Sequence, residues 1–230
     1  MSIPKNPETI VIRNQLYPNG LSEISVWEYY QKVKPKILSE TKGKDLMFGI
    51  MVEENKLVFR RNYGDSIIRL TPKNYDEIIT GRTVSIYSEM GAYEDFAIID
   101  VDIDPSDGFR WAKMATSNVY EYVMDRVPIV RRASIRFTGK TSFHIFLEFG
   151  KKMKIDAIRY LMQKFLQDSP LAKTYTIEKK RSPGIPNLDL SSNKIRGTFI
   201  TLHSLSILGL RCMEVDYSKL MAFQPRMALI

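Results

Sequence analysis

The stretch that most constrains this chain is FAIIDVDIDPSDG, residues 96–108. An apolar run, Phe96 to Ile99, feeds three aspartates at every second position: Asp100, Asp102 and Asp104. Side chains of a strand alternate between its two faces, so on a strand all three carboxylates point the same way. Like charges held that close repel each other. The arrangement therefore calls for a cation. Magnesium is hard, prefers oxygen, and is commonly held by one or two carboxylates plus substrate phosphates. The structural alternative is a sheet edge kept from aggregating by its charge. The apolar run ahead of Asp100 argues against an edge.

Around this stretch, helical and strand patterns alternate without a strict βαβ rhythm, which predicts an α+β fold. Ser22 is placed to cap a helix carrying Val26, Tyr29, Tyr30, Val33 and Ile37 on one side, with Pro35 expected to kink or end it. Short strand-like segments follow at 45–52, 56–63, 66–71 and 83–88. A helix is expected over 107–126, with Trp111, Ala115, Val119 and Tyr122 along one side. Two strands, SIRFTG and FHIFLEF, are joined by a tight turn at Gly139-Lys140-Thr141. A further helix, DAIRYLMQKFLQD, precedes a loop, KKRSPGIPN, that leads into LDLSSNKIRGTFITLHSLS. No repeat, low-complexity tract or long linker interrupts the 230 residues, so one catalytic domain over 1–230 is expected.

The net charge of +8 favours an anionic partner, nucleic acid first. Cys212 is the single cysteine, which rules out an internal disulfide and a multi-cysteine zinc site. No stretch approaches the roughly 18 apolar residues of a membrane span. The N-terminus lacks a charged start followed by a long apolar core, so a secretory signal is not expected and a cytoplasmic protein is.

Two further groups carry chemistry. Asp189 is an isolated acid in NLDLSS, between a basic loop and a strand. Two acids from one strand and one from a distant strand could hold two metals, which stabilise the attacking and leaving oxygens of a phosphoryl transfer. In RFTGKTSFHIFLEF, the turn Thr138-Gly139-Lys140-Thr141 lets backbone N–H groups approach an anion. Lys140 adds a point charge, and His144 opens the next strand within reach of a phosphate. A plain β-hairpin with an incidental histidine is the bland reading of that segment.

DVDID, then TGKTSFH, then LD at 188–189, together resemble the three-motif pattern of the archaeo-eukaryotic primase superfamily: an Asp-x-Asp strand, a Ser-Gly-x-x-Gly-x-His turn and a late aspartate. LYPNGLSEISVWEYYQKVKPKIL is similar to the N-terminal region of polymerase domains in bacterial end-joining ligases. DLSSNKIRGTFITLHSLS matches their late motif at Asp189, Asn193, Thr198 and Ser204. TVSIYSEMGAYEDF, SLSILGL and AFQP look more like archaeal primase small subunits. The resemblance implies a central mixed sheet with flanking helices, in two interleaved modules, the later one similar to an RNA-recognition fold. It implies template-directed nucleotidyl transfer, in replication priming or end-joining repair, with Mg²⁺ or Mn²⁺. Asp100, Asp102 and Asp189 would be catalytic and, with Asp104, metal-binding. Thr138, Gly139, Lys140, His144, Asn193, Arg196 and Ser204 would bind the nucleotide. The implied partners are a DNA template and primer, nucleoside triphosphates, and a primase large subunit or an end-joining ligase or Ku-type protein.

The chain departs from the pattern in places. Thr138 stands for the serine and Ser142 for the second glycine. Thr141, Ile200 and Ser206 occupy places that are often basic. Arg196 and Lys140, with Arg136 behind them, are the cations left to neutralise the phosphates. The ligands of a zinc knob are absent. The first motif has two registers, Asp100 with Asp102, which the apolar run favours, and Asp102 with Asp104, which DIDP favours. A catalytically silent nucleic-acid-binding subunit and a metal-dependent nuclease are the rival readings.

Overall fold

The computed structural model describes residues 6–104, 108–178 and 184–230. The chain runs through β1 (Ile10–Asn14), β2 (Tyr17–Ser22), α1 (Glu23–Glu40), β3 (Leu46–Glu53), β4 (Lys56–Arg60), β5 (Asn62–Tyr63), β6 (Ser66–Ile67), α2 (Tyr75–Ile78) and β7 (Thr83–Glu89). It continues through β8 (Tyr93–Asp102), α3 (Phe109–Arg126), β9 (Val130–Phe137), β10 (Phe143–Lys154), α4 (Ile155–Gln167), β11 (Thr176–Ile177), β12 (Asn187–Asp189), β13 (Thr198–Ile200) and β14 (Met213–Val215). The α+β expectation holds. No described helix is long and apolar enough to cross a membrane.

Two compact units share the chain. The first takes Met1–Glu89, Thr198–Met213 and Gln224–Ile230. Its sheet has the order β13-β7-β3-β4. Ser22 caps α1, its hydroxyl accepting the Ser25 N–H, and the helix buries Val26, Tyr30 and Ile37 in the unit's core. Pro35 does not end α1, which runs on to Glu40. Proline in a helix interior costs about 3 kcal/mol. Ile37, fully buried two residues beyond, gives the last turn a reason to persist, and Thr41 closes it by donating twice to the Ile37 carbonyl.

Two other expectations are corrected here. The strand expected over 56–63 breaks into β4 and the start of the small β5–β6 hairpin, and the one over 66–71 keeps only Ser66–Ile67 as strand. The β1–β2 hairpin was not foreseen. Its signal was Asn14, whose side chain accepts the N–H groups of Leu16 and Tyr17 and so shapes the turn.

The second unit takes Met90–Gly197 and Glu214–Phe223. Its six-stranded sheet has the order β11-β12-β8-β10-β9-β14. β8, β10 and β9 form a continuous antiparallel ladder, with β12 antiparallel on the other side of β8. Apart from the short edge strand β11 between α4 and β12, the order β8-α3-β9-β10-α4-β12 reads strand–helix–strand–strand–helix–strand, with its first strand inside the sheet. The helices fall where they were expected, at 109–126 and 155–167, though position 107 and residues 179–183 of the basic loop lie outside the described residues. One sheet face is apolar: Val101, Phe143 and Phe137 pair across three strands, each fully buried. Phe109 of α3 packs on that row, its ring centroid 5.4 Å from Phe143 and 5.7 Å from Phe137. Phe223 joins the cluster 5.0 Å from Phe137, and the Lys113 ammonium donates to the carbonyls of Met221 and Phe223 to hold that segment against α3.

Candidate active site

Because Val101, Phe143 and Phe137 face α3, the residues one step along each strand face the other way. There the register lines up four polar side chains. Asp189 of β12 is opposite Asp100 of β8, Asp100 is opposite His144 of β10, and His144 is opposite Arg136 of β9. Cross-strand partners share a face, so acid, acid, imidazole and guanidinium form one row across four strands.

The spacing within the row is close but not saturated. His144 Nε2 lies 3.7 Å from Asp100 Oδ2, an electrostatic neighbour beyond hydrogen-bond reach. His144 is 7% exposed, and its Nδ1 is buried without a hydrogen-bond partner. Asp100 Oδ1 is likewise buried with none. Asp189 is better served: its Oδ1 accepts the Ser191 N–H at 2.6 Å and its Oδ2 the Ser191 hydroxyl at 3.0 Å. Asp102, 8% exposed, is one step further along the same face and opposite Asn187. Asp104 lies beyond the last residue of β8, outside the row.

An orphaned carboxylate oxygen beside a second carboxylate is what a hard divalent cation fits. Among the described residues no three His, Cys, Asp or Glu side chains gather closely enough to cage a metal by themselves.

The Gly139 turn closes as expected between β9 and β10. The Thr138 N–H donates to the Ser142 carbonyl, and the Thr138 hydroxyl also turns back on Ser142. Gly139 has φ +82°, a left-handed conformation that other residues rarely adopt. Lys140 is exposed at the apex. After Asp189 the chain makes a tight loop. Gly197 is required there, since a Cβ would fall 2.1 Å from the Ser192 carbonyl oxygen.

The late-motif residues have different places. Asn193 is fully buried, and its amide is committed to backbone: Oδ1 accepts the Ile98 N–H, and Nδ2 donates to the carbonyls of Ile98 and Leu190. It clamps the loop to β8 two residues before Asp100. Arg196 is exposed on that loop with φ +60°, its N–H donating to the Met90 carbonyl. Ser204 belongs to the other unit and is fully buried there. Its hydroxyl accepts the Ile86 N–H at 2.7 Å and serves that unit's core. Sequence reasoning overlooked Asn187 and Phe146. The alternation of FHIFLEF, which sets Phe146 on the face of His144, was the available signal for the second.

The chain is similar to the polymerase domain of Mycobacterium tuberculosis Ligase D, solved in complex with DNA, with a TM-score of 0.77 over 97% of this chain and 90% of that one. Identity is 14%, so the likeness speaks for the fold. No protein-family model and no curated protein sequence matches the chain.

Proposed function

We propose that this chain is a template-directed nucleotidyltransferase that extends or initiates a strand on a DNA template, in end joining or in priming. The observation that carries this reading is the row Asp189–Asp100–His144 on the sheet of a polymerase-like fold. The whole chain then acts as one catalytic domain of two interleaved modules. The order β8-α3-β9-β10-α4-β12 supports reading the later module as RNA-recognition-like.

Asp100, Asp102 and Asp189 would hold the divalent cations, Mg²⁺ or Mn²⁺. When bound, these ions supply acidification of the attacking 3′-hydroxyl and charge neutralisation of the departing pyrophosphate. The protein's own groups position the substrate. His144 presents an imidazole edge beside Asp100 and donates to a phosphate oxygen. The Gly139 turn and Lys140 bring backbone dipoles and a cation to the phosphate chain. Asn193 anchors the loop carrying the exposed cations Lys194 and Arg196 to Ile98 of β8. Catalysis of this kind is positioning plus electrostatic stabilisation. The net charge of +8 supports a DNA partner held through its phosphates.

The test is incubation with labelled nucleotide, a gapped or primed DNA template and manganese, beside the Asp102→Ala variant. Template-dependent extension by the wild type, lost in a folded Asp102→Ala protein, supports the reading. Degradation of the DNA would instead make the protein a nuclease, and binding without extension a silent subunit.

A further inference from the structure

Arg136 stands at the end of the polar row, opposite His144, at a position the nucleotide-binding turn does not include. Its guanidinium sits over the Phe146 ring, with Cζ 3.9 Å from the ring centroid. Phe146 is 5% exposed and is itself stacked on Phe96, centroids 5.7 Å apart at 28°. A stacked guanidinium is pre-organised, unlike a lysine on a flexible stem. Arg132, four residues earlier on the same strand face, shows the contrast: its side chain is 64% exposed and 3.8 Å from Glu214. The Arg136 backbone is in register with His144 and Asp100, and its half-buried side chain leans over Phe146, the next residue after His144 on the same face of β10. Two strand spacings, about 9.5 Å, separate it from Asp100. A chain of phosphates fixed at the acid end would run past His144 and finish at this cation.

We propose that Arg136 binds the terminal phosphate of the incoming nucleotide and so selects triphosphates over monophosphates, with Phe146 as the positioning residue that aims it. This rests on the nucleotidyl-transfer reading. It also accounts for the missing basic residue at Thr141: the cation is supplied from the neighbouring strand instead of the turn.

The experiment is equilibrium binding of dATP and dAMP, with ATP and AMP in parallel, to the whole chain by titration calorimetry in manganese. Wild type, Arg136→Met, Arg136→Lys and Phe146→Leu are compared, with thermal unfolding of each. Loss of one charge-assisted contact predicts that Arg136→Met weakens triphosphate binding about tenfold or more. Monophosphate binding should change less than about twofold by the same arithmetic. Phe146→Leu should shift selectivity in the same direction and by less, and Arg136→Lys should restore part of it. Arg136→Met that binds dATP like wild type, or that loses dATP and dAMP equally, overturns the proposal while leaving nucleotidyl transfer standing. Wild-type protein that binds no triphosphate at all overturns both.

Discussion

Asp189 stands directly opposite Asp100 across the antiparallel pair of β12 and β8, and Asp100 keeps one buried oxygen with no hydrogen-bond partner. Two carboxylates so placed destabilise the metal-free sheet. The Asp100→Asn variant should therefore be more stable than wild type in EDTA, by roughly 0.2–1 kcal/mol. Manganese should raise the melting temperature of wild type and leave the variant nearly unmoved, as linkage to a bound ion requires. Scanning calorimetry with and without manganese checks both halves. Equal manganese shifts in the two proteins would remove Asp100 from the metal site.

His144→Ala should weaken nucleotide more than template. The imidazole is within the row, 3.7 Å from Asp100, and its loss removes a contact to a charged partner worth about 1.5–3 kcal/mol. The apparent nucleotide Michaelis constant should rise roughly tenfold or more. Template affinity, spread over many phosphates, should barely change. Equal losses in both, with a lower melting temperature, would make His144 a packing residue.

Asn193→Ala should destabilise the protein and slow it together. The substitution strips the Ile98 N–H and carbonyl of their partner in a fully buried setting. Each unsatisfied group costs about 1–3 kcal/mol, so a loss of about 2–4 kcal/mol in urea unfolding is expected. Nucleotide affinity measured well below the melting temperature should fall less than it does in His144→Ala, since Asn193 supports the loop without facing the ligand.

Stability at low pH should fall partly through Asp76. Lys34 donates to both its carboxylate oxygens at 2.8 Å, and that hydrogen bond holds the Asp76 carboxyl below the usual range. A carboxyl depressed in the folded state stabilises above its unfolded pKa, and the contribution disappears as pH falls through the folded value. Both side chains are partly exposed, so the pair is worth only about 0.2–1 kcal/mol. Urea unfolding of Asp76→Asn against wild type should show that difference at pH 7, and the difference should shrink as pH falls below the usual carboxylate range.

Much of this protein was legible along the chain because it depends on neighbours in sequence. The period of α3 and α4, the Ser22 cap, the Gly139 turn and the shared face of Asp100 and Asp102 follow from local geometry, which a strand or helix imposes on any residues with that spacing. Short apolar runs were less reliable. Residues 66–71 have strand composition, yet only Ser66–Ile67 pairs in β6, because a strand exists only where a partner supplies hydrogen bonds. What the chain alone left open was which distant groups meet. Asp189 and Asp100 are far apart in sequence and become opposite only when β12 joins the free side of β8. Of the late-motif residues, Asn193 is a backbone clamp on β8 and Ser204 is buried in the other unit. Strand pairing also joined Arg136 to the row, since β9 delivers it opposite His144. Register across a sheet is set by the burial of the opposite face, here Val101, Phe143 and Phe137 against Phe109. That is a property of packed strands, and no single segment carries it.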